Sequence, residues 1–110
     1  MLQNDSLETI RRQIDEIDGQ ILRLLSRRAR LALEAGRAKA SAGRTISDPK
    51  REQEVLHARV AVGAPPLPAE AVTAIFSEII DWCRYIQQHD EKAPGKRHNP
   101  EDADDGDRHG

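Results

Sequence analysis

The chain has 110 residues, of which 33% are charged and 37% hydrophobic, with one Phe, one Trp and one Tyr; this allows one domain and excludes aromatic-rich β-architectures. Seventeen Lys and Arg against nineteen Asp and Glu leave a net charge of -2, so the chain does not coat nucleic acid or an anionic membrane, and any basic site must be local. The single cysteine, Cys83, excludes an intrachain disulfide and a cysteine zinc site, and His57, His89, His98 and His109 lack the paired spacing of metal ligands.

The chain starts MLQNDSLETI, with neither the basic nor the apolar region of a secretory signal, and nowhere do 18 apolar residues run together. A soluble cytoplasmic protein is expected. From Leu7 to about Ala42 the apolar residues return at three- and four-residue steps through Ile10, Ile14, Ile17, Ile21, Leu24, Leu31, Ala35 and Ala38, which predicts one long amphipathic helix. Asp5 or Ser6 is placed to cap its start, Glu8 suits the dipole of the first turn, and Gly43 supplies a left-handed stop. Gly19 and Gly36 lie inside this helix, each at a cost of about 1 kcal/mol relative to Ala.

Asp48-Pro49 reads as an N-cap followed by proline at the first helical position, opening a second helix that passes Val55, Leu56, Arg59 and Val60 to Gly63. Ala64-Pro65-Pro66-Leu67 interrupts it. Pro68 then opens a third helix whose stripe is Val72, Ile75, Phe76, Ile79, Ile80, Cys83 and Ile86. The domain is drawn over residues 1–91. Residues 92–110 contain no large apolar side chain and are expected to be a disordered polar tail.

The fold class is therefore all-α, a three-helix chain with a long first helix. A helix of about 36 residues is roughly 54 Å long, whereas a compact domain of about 90 residues is roughly 32 Å across. The first helix must overhang its own domain with its apolar stripe uncovered. A second chain is the natural cover, which predicts an intertwined helical homodimer.

Most charged residues here belong to solvated faces; those on core-facing positions are the informative ones. Heptad counting puts Arg11, Asp18, Leu25, Ala32 and Lys39 on one side of the first helix, with Arg28 and Ala35 interleaved. Gln87 continues the series Phe76, Ile80, Cys83 on the third helix, and Asp48, Arg51 and Glu52 gather at the start of the second. Buried cations imply either ion pairs or an anionic ligand. In the first case Arg11, Arg28 and Lys39 pair with Asp18, Asp48 and Glu52 between helices. In the second, Arg28 and Lys39, roughly 16 Å apart along one face, converge on a small molecule, whereas Arg11, about 25 Å from Arg28 and rotated roughly 100°, contributes only across a dimer.

These residues form a joint pattern: Arg11-x-x-Ile14-Asp15-x-x-Asp18, Ile21-Leu22-x-Leu24-Leu25-x-x-Arg28, Lys39, Ile46-x-Asp48-x-x-Arg51-Glu52, Ile79-Ile80 and Gln87. Over residues 7–88 it resembles the all-helical chorismate mutases. The resemblance implies an intertwined homodimer that converts chorismate to prephenate, a step towards phenylalanine and tyrosine, without metal or other cofactor. It also implies that Arg28 and the partner subunit's Arg11 grip the two substrate carboxylates, that Lys39 and Gln87 bond the ether oxygen, and that Glu52 with Asp48 holds the ring hydroxyl. Arg51 would be a wall or carboxylate-side group. Cys83 stands where the family often has Ser, and a thiol is the weaker donor.

Two sibling activities on the same fold compete: pyruvate elimination from isochorismate, whose enzymes generally lack the Asp48, Arg51, Glu52 motif, and rearrangement of an amino-substituted chorismate. A non-catalytic helical dimer with its inward charges paired is the alternative from another class. The polar tail is assigned to solubility first and to docking on another pathway enzyme second.

Overall fold

The computed structural model describes residues 2–94, with side chains from residue 6 onward. It contains three helices, α1 (Leu2–Ser41), α2 (Pro49–Val62) and α3 (Ala69–Gln88), and no strand among the described residues. No described helix is long and apolar enough to cross a membrane. The expected tail lies outside the described residues from residue 95 on.

The stops and starts follow local chemistry. Gly43 at φ 71° ends α1 and Gly63 at φ 74° ends α2, both in the left-handed region that glycine enters without steric cost. Asp48 caps α2 by accepting a 3.2 Å hydrogen bond from the Arg51 backbone N–H, with Pro49 at the first position, where no N–H is needed. Pro68 precedes α3 in an extended conformation. The start of α1 corrects the expectation: the helix begins at Leu2, so Asp5 and Ser6 lie within it rather than capping it. Neither Gly nor Pro interrupts Leu2-Gln3-Asn4, so nothing there halts helix propagation.

The chain divides into two compact units, residues 1–31 and 32–110. The first is a stretch of α1 alone. A single helix cannot bury its own stripe, and Leu7, Ile10, Ile14, Ile17, Ile21 and Leu24 are all 46–61% exposed.

The second unit joins the last turns of α1 to a helical hairpin. Glu52 in the first turn of α2 meets Arg84 near the end of α3, so the two helices run antiparallel. Val72, Ile80 and Ala93 are buried at its centre, with Val55, Leu56, Phe76, Ile79, Cys83 and Ile86 half-buried around them. Ile75, on the predicted stripe, remains exposed. Beyond α3 the chain is tied back to α1. Asp90 accepts from Arg37 Nε at 2.8 Å and from an Arg37 terminal nitrogen at 3.2 Å, and the Lys92 backbone N–H donates to the same carboxylate at 3.1 Å.

Candidate functional site

Six of the eight predicted site residues, Lys39, Asp48, Arg51, Glu52, Cys83 and Gln87, belong to the second unit, whereas Arg11 and Arg28 belong to the first. Gln87 is the most deeply placed, at 9% exposure. Its amide Nε2 donates to the Ala32 backbone carbonyl at 2.7 Å. That contact requires α3 to pass close over α1, and Gly36 permits it: a Cβ there would stand 3.1 Å from Gln87 Cγ and 3.3 Å from its Cβ. The absence of a side chain at position 36 is thus what seats Gln87, a reason the sequence pattern alone did not supply.

Lys39 follows Gly36 by three residues, on the same side of α1. The half-buried Lys39 side chain sends one Nζ proton to the Ile46 carbonyl at 3.2 Å. This leaves two ammonium protons, beside a neighbouring amide with one remaining N–H. The second unit therefore holds a cationic donor from α1, Lys39, and a neutral amide donor from α3, Gln87, whose side chain rests on Gly36, three residues before Lys39.

Asp48 uses one carboxylate oxygen to cap α2. Arg51, next to it, is an exposed side chain 3.8 Å from Glu54 on the following turn, so it stands on the outer face of α2. Glu52 turns inward and is gripped from α3: Arg84 Nη1 lies 2.7 Å from Oε1 and 2.8 Å from Oε2, while Arg84 Nη2 donates to Asp81 at 2.9 Å. The hydrogen bond to Glu52 is the main cause that raises the Arg84 guanidinium above its ordinary pKa. In the same way Asp90 raises that of Arg37. Cys83, adjacent to Arg84, is half-buried and forms no disulfide.

In the first unit Arg11 is exposed and pairs along its own helix with Glu8 at 3.2 Å. Arg28 is half-buried. Of the interhelix salt bridges that were one reading of these charges, Arg11, Lys39 and Glu52 have other partners: Arg11 takes Glu8, Lys39 takes a backbone carbonyl, and Glu52 is taken by Arg84. Short-range geometry explains the first, since residues three apart on a helix are neighbours. Among the described residues no group of three or more His, Cys, Asp and Glu could hold a metal ion.

Sequence reasoning missed Arg84, although a signal existed. Ile80, Arg84 and Gln87 follow at four- and three-residue steps, so the test that singled out core-side cations on α1 also selects Arg84 on α3. Arg37 and Asp90 carried no comparable signal, because Asp90 lies beyond the last periodic residue.

Residues 10–88 match the protein family described as chorismate mutase type II. The bifunctional chorismate mutase/prephenate dehydratase of Aquifex aeolicus (strain VF5) is 38% identical over 88 residues, covering 76% of this chain and 24% of that protein. The Escherichia coli (strain K12) protein of the same description is 34% identical over 89 residues, 80% of this chain and 23% of that one. The chain thus spans about a quarter of these curated relatives. Among solved structures, chorismate mutase (form II) from Thermus thermophilus superposes with a TM-score of 0.74 at 34% identity, over 76% of this chain and 96% of that one. Form I of the same enzyme gives 0.68 at 38% identity, over 70% and 96%.

Proposed function

The chain belongs to the chorismate mutase type II family, and from that premise we propose that it catalyses the Claisen rearrangement of chorismate to prephenate. The observation that supports this reading is Gln87, buried against Gly36 with one amide proton on the Ala32 carbonyl, together with the half-buried Lys39 three residues beyond Gly36 on α1, two donors with protons to spare.

The reaction is a concerted shift within one molecule: a C–C bond forms while the ether C–O bond breaks, with no proton or electron entering from outside. It needs no nucleophile. What a protein contributes is confinement of a flexible substrate in the compact conformer that brings the bonding carbons together, and stabilisation of the charge that develops on the ether oxygen. Lys39 and Gln87 act on that oxygen. Because the oxygen is more negative in the transition state than in the ground state, these donors lower the barrier rather than merely tighten binding. Arg28 binds one substrate carboxylate, a task for which the planar guanidinium is shaped. Glu52 receives the ring hydroxyl with Asp48 beside it, Arg51, on the exposed face of α2, stands at the edge as a wall or carboxylate-side group, and Cys83 lines the wall between Glu52 and Gln87.

The second carboxylate falls to the partner subunit's Arg11 in a symmetric homodimer. The stripe from Leu7 to Leu24, half-exposed along its whole length, supports this, since a contiguous apolar surface of that extent marks an interface. A second copy is its natural occupant, because the interface between two identical stripes is self-complementary. The single cysteine and the absence of a described membrane-spanning helix suit the cytoplasm.

The test is direct. Chorismate absorbance falls when the protein is added, and the product is prephenate. Salicylate or pyruvate as product, or no turnover, refutes the proposal.

A further inference from the structure

On the functional reading above, the ring substituent of the substrate is met by Glu52, and Glu52 is not a bare carboxylate. Both its oxygens lie within 2.7–2.8 Å of one nitrogen of Arg84. The other arm of the guanidinium is fixed on Asp81 at 2.9 Å, so the fork cannot swing away without breaking contacts on both sides. The pair bridges the first turn of α2 and the last turns of α3, and the Arg84 and Glu52 side chains are 30% and 25% exposed. Water therefore screens the pair less than it screens surface ion pairs. Asp81, by contrast, is 58% exposed, and solvent damps its charge.

We propose that Arg84 is a positioning and specificity-determining residue, which acts through Glu52 to favour a hydroxyl over an ammonium as the ring substituent. The inference rests on the functional reading above. Each Glu52 oxygen keeps lone-pair capacity after meeting Arg84, so it still accepts from a neutral hydroxyl held in one orientation. An ammonium is treated differently. It meets a carboxylate whose charge is already balanced and a guanidinium a few ångströms behind it, so the attraction that would offset its lost hydration is absent. Discrimination then comes from a repulsive element as much as from an attractive one. Without Arg84, Glu52 becomes an uncompensated carboxylate in a partly enclosed place, which suits an ammonium better than a hydroxyl.

The experiment compares Arg84→Met and Arg84→Lys with the wild-type full chain on chorismate and on aminodeoxychorismate. Circular dichroism is the folding control. In Arg84→Met the ratio of kcat/KM for the amino substrate to that for chorismate rises about tenfold, the scale of one charge-assisted hydrogen bond. In Arg84→Lys, which keeps the charge, the ratio returns towards the wild-type value. If Arg84→Met does not fold, Arg84→Gln, also uncharged, carries the same expectation. A parallel fall for both substrates with an unmoved ratio overturns the inference and leaves the mutase reading intact. A wild-type chain that turns over no chorismate removes the mutase reading first, and this inference with it.

Discussion

Gly36→Ala separates stability from catalysis. A glycine inside α1 costs about 1 kcal/mol relative to alanine, so on helix propensity alone the substitution stabilises. The new methyl, however, stands 3.1 Å from Gln87 Cγ and 3.3 Å from Gln87 Cβ, inside ordinary contact distance. Gln87 must retreat by a few tenths of an ångström, and its 2.7 Å bond to the Ala32 carbonyl stretches with it. Loss of that bond costs about 1 kcal/mol, so the two effects nearly cancel and Tm moves little. Catalysis has no such cancellation. Complete removal of one transition-state donor costs about 100- to 1,000-fold, and a displaced donor a share of it, about tenfold in kcat with KM hardly changed. The control is Gly19→Ala in the same helix, where the nearest atom to a new Cβ is Arg23 Nη1 at 3.5 Å. It should raise Tm by about 4–8 °C and leave kcat alone. Thermal melts by circular dichroism and initial rates from chorismate absorbance measure both. A folded Gly36→Ala protein with wild-type kcat refutes the argument that Gly36 seats Gln87 for catalysis.

Other outcomes follow from the same geometry. Ile14→Lys combined with Ile17→Lys puts two charges into the exposed stripe and yields a monomer in analytical ultracentrifugation; a persistent dimer refutes the stripe as the interface. Arg11→Ala and Arg28→Ala each lower kcat/KM by about 100-fold or more, and co-refolded mixtures regain activity, because half of each heterodimer's sites are intact. Demonstrated heterodimers without regained activity show that Arg11 does not act across chains. Gln87 donates an amide proton that does not titrate, so kcat/KM varies less than about threefold between about pH 6 and pH 8; a steep fall in that window refutes Gln87 as the amide donor to the ether oxygen. Arg37→Ala lowers Tm by removing the guanidinium from the buried Asp90, and a second substitution, Asp90→Ala, recovers part of the loss. The raised Arg37 pKa contributes stability that is complete below the ordinary arginine range and lost only as pH rises through it. The Arg37→Ala loss in Tm is therefore the same at about pH 7 and about pH 9; a difference between them contradicts the pairing.

The periodic stripes, Asp48-Pro49, Pro68, Gly43 and Gly63 determined three helices and their ends, because capping, proline and left-handed turns act within a few residues. The same local counting put Lys39 and Gln87 on inward positions, and it failed at the start of α1, where no local breaker marks the boundary. Tertiary structure decided the rest. It chose Arg84 as the partner of Glu52, set Gln87 over Gly36, and tied Asp90 to Arg37, three pairings that span 32, 51 and 53 residues of chain. Sequence periodicity tells which way a side chain points from its own helix axis; which side chain waits opposite depends on how the α2–α3 hairpin and the end of α1 come together, and no repeat within a single helix encodes that distance.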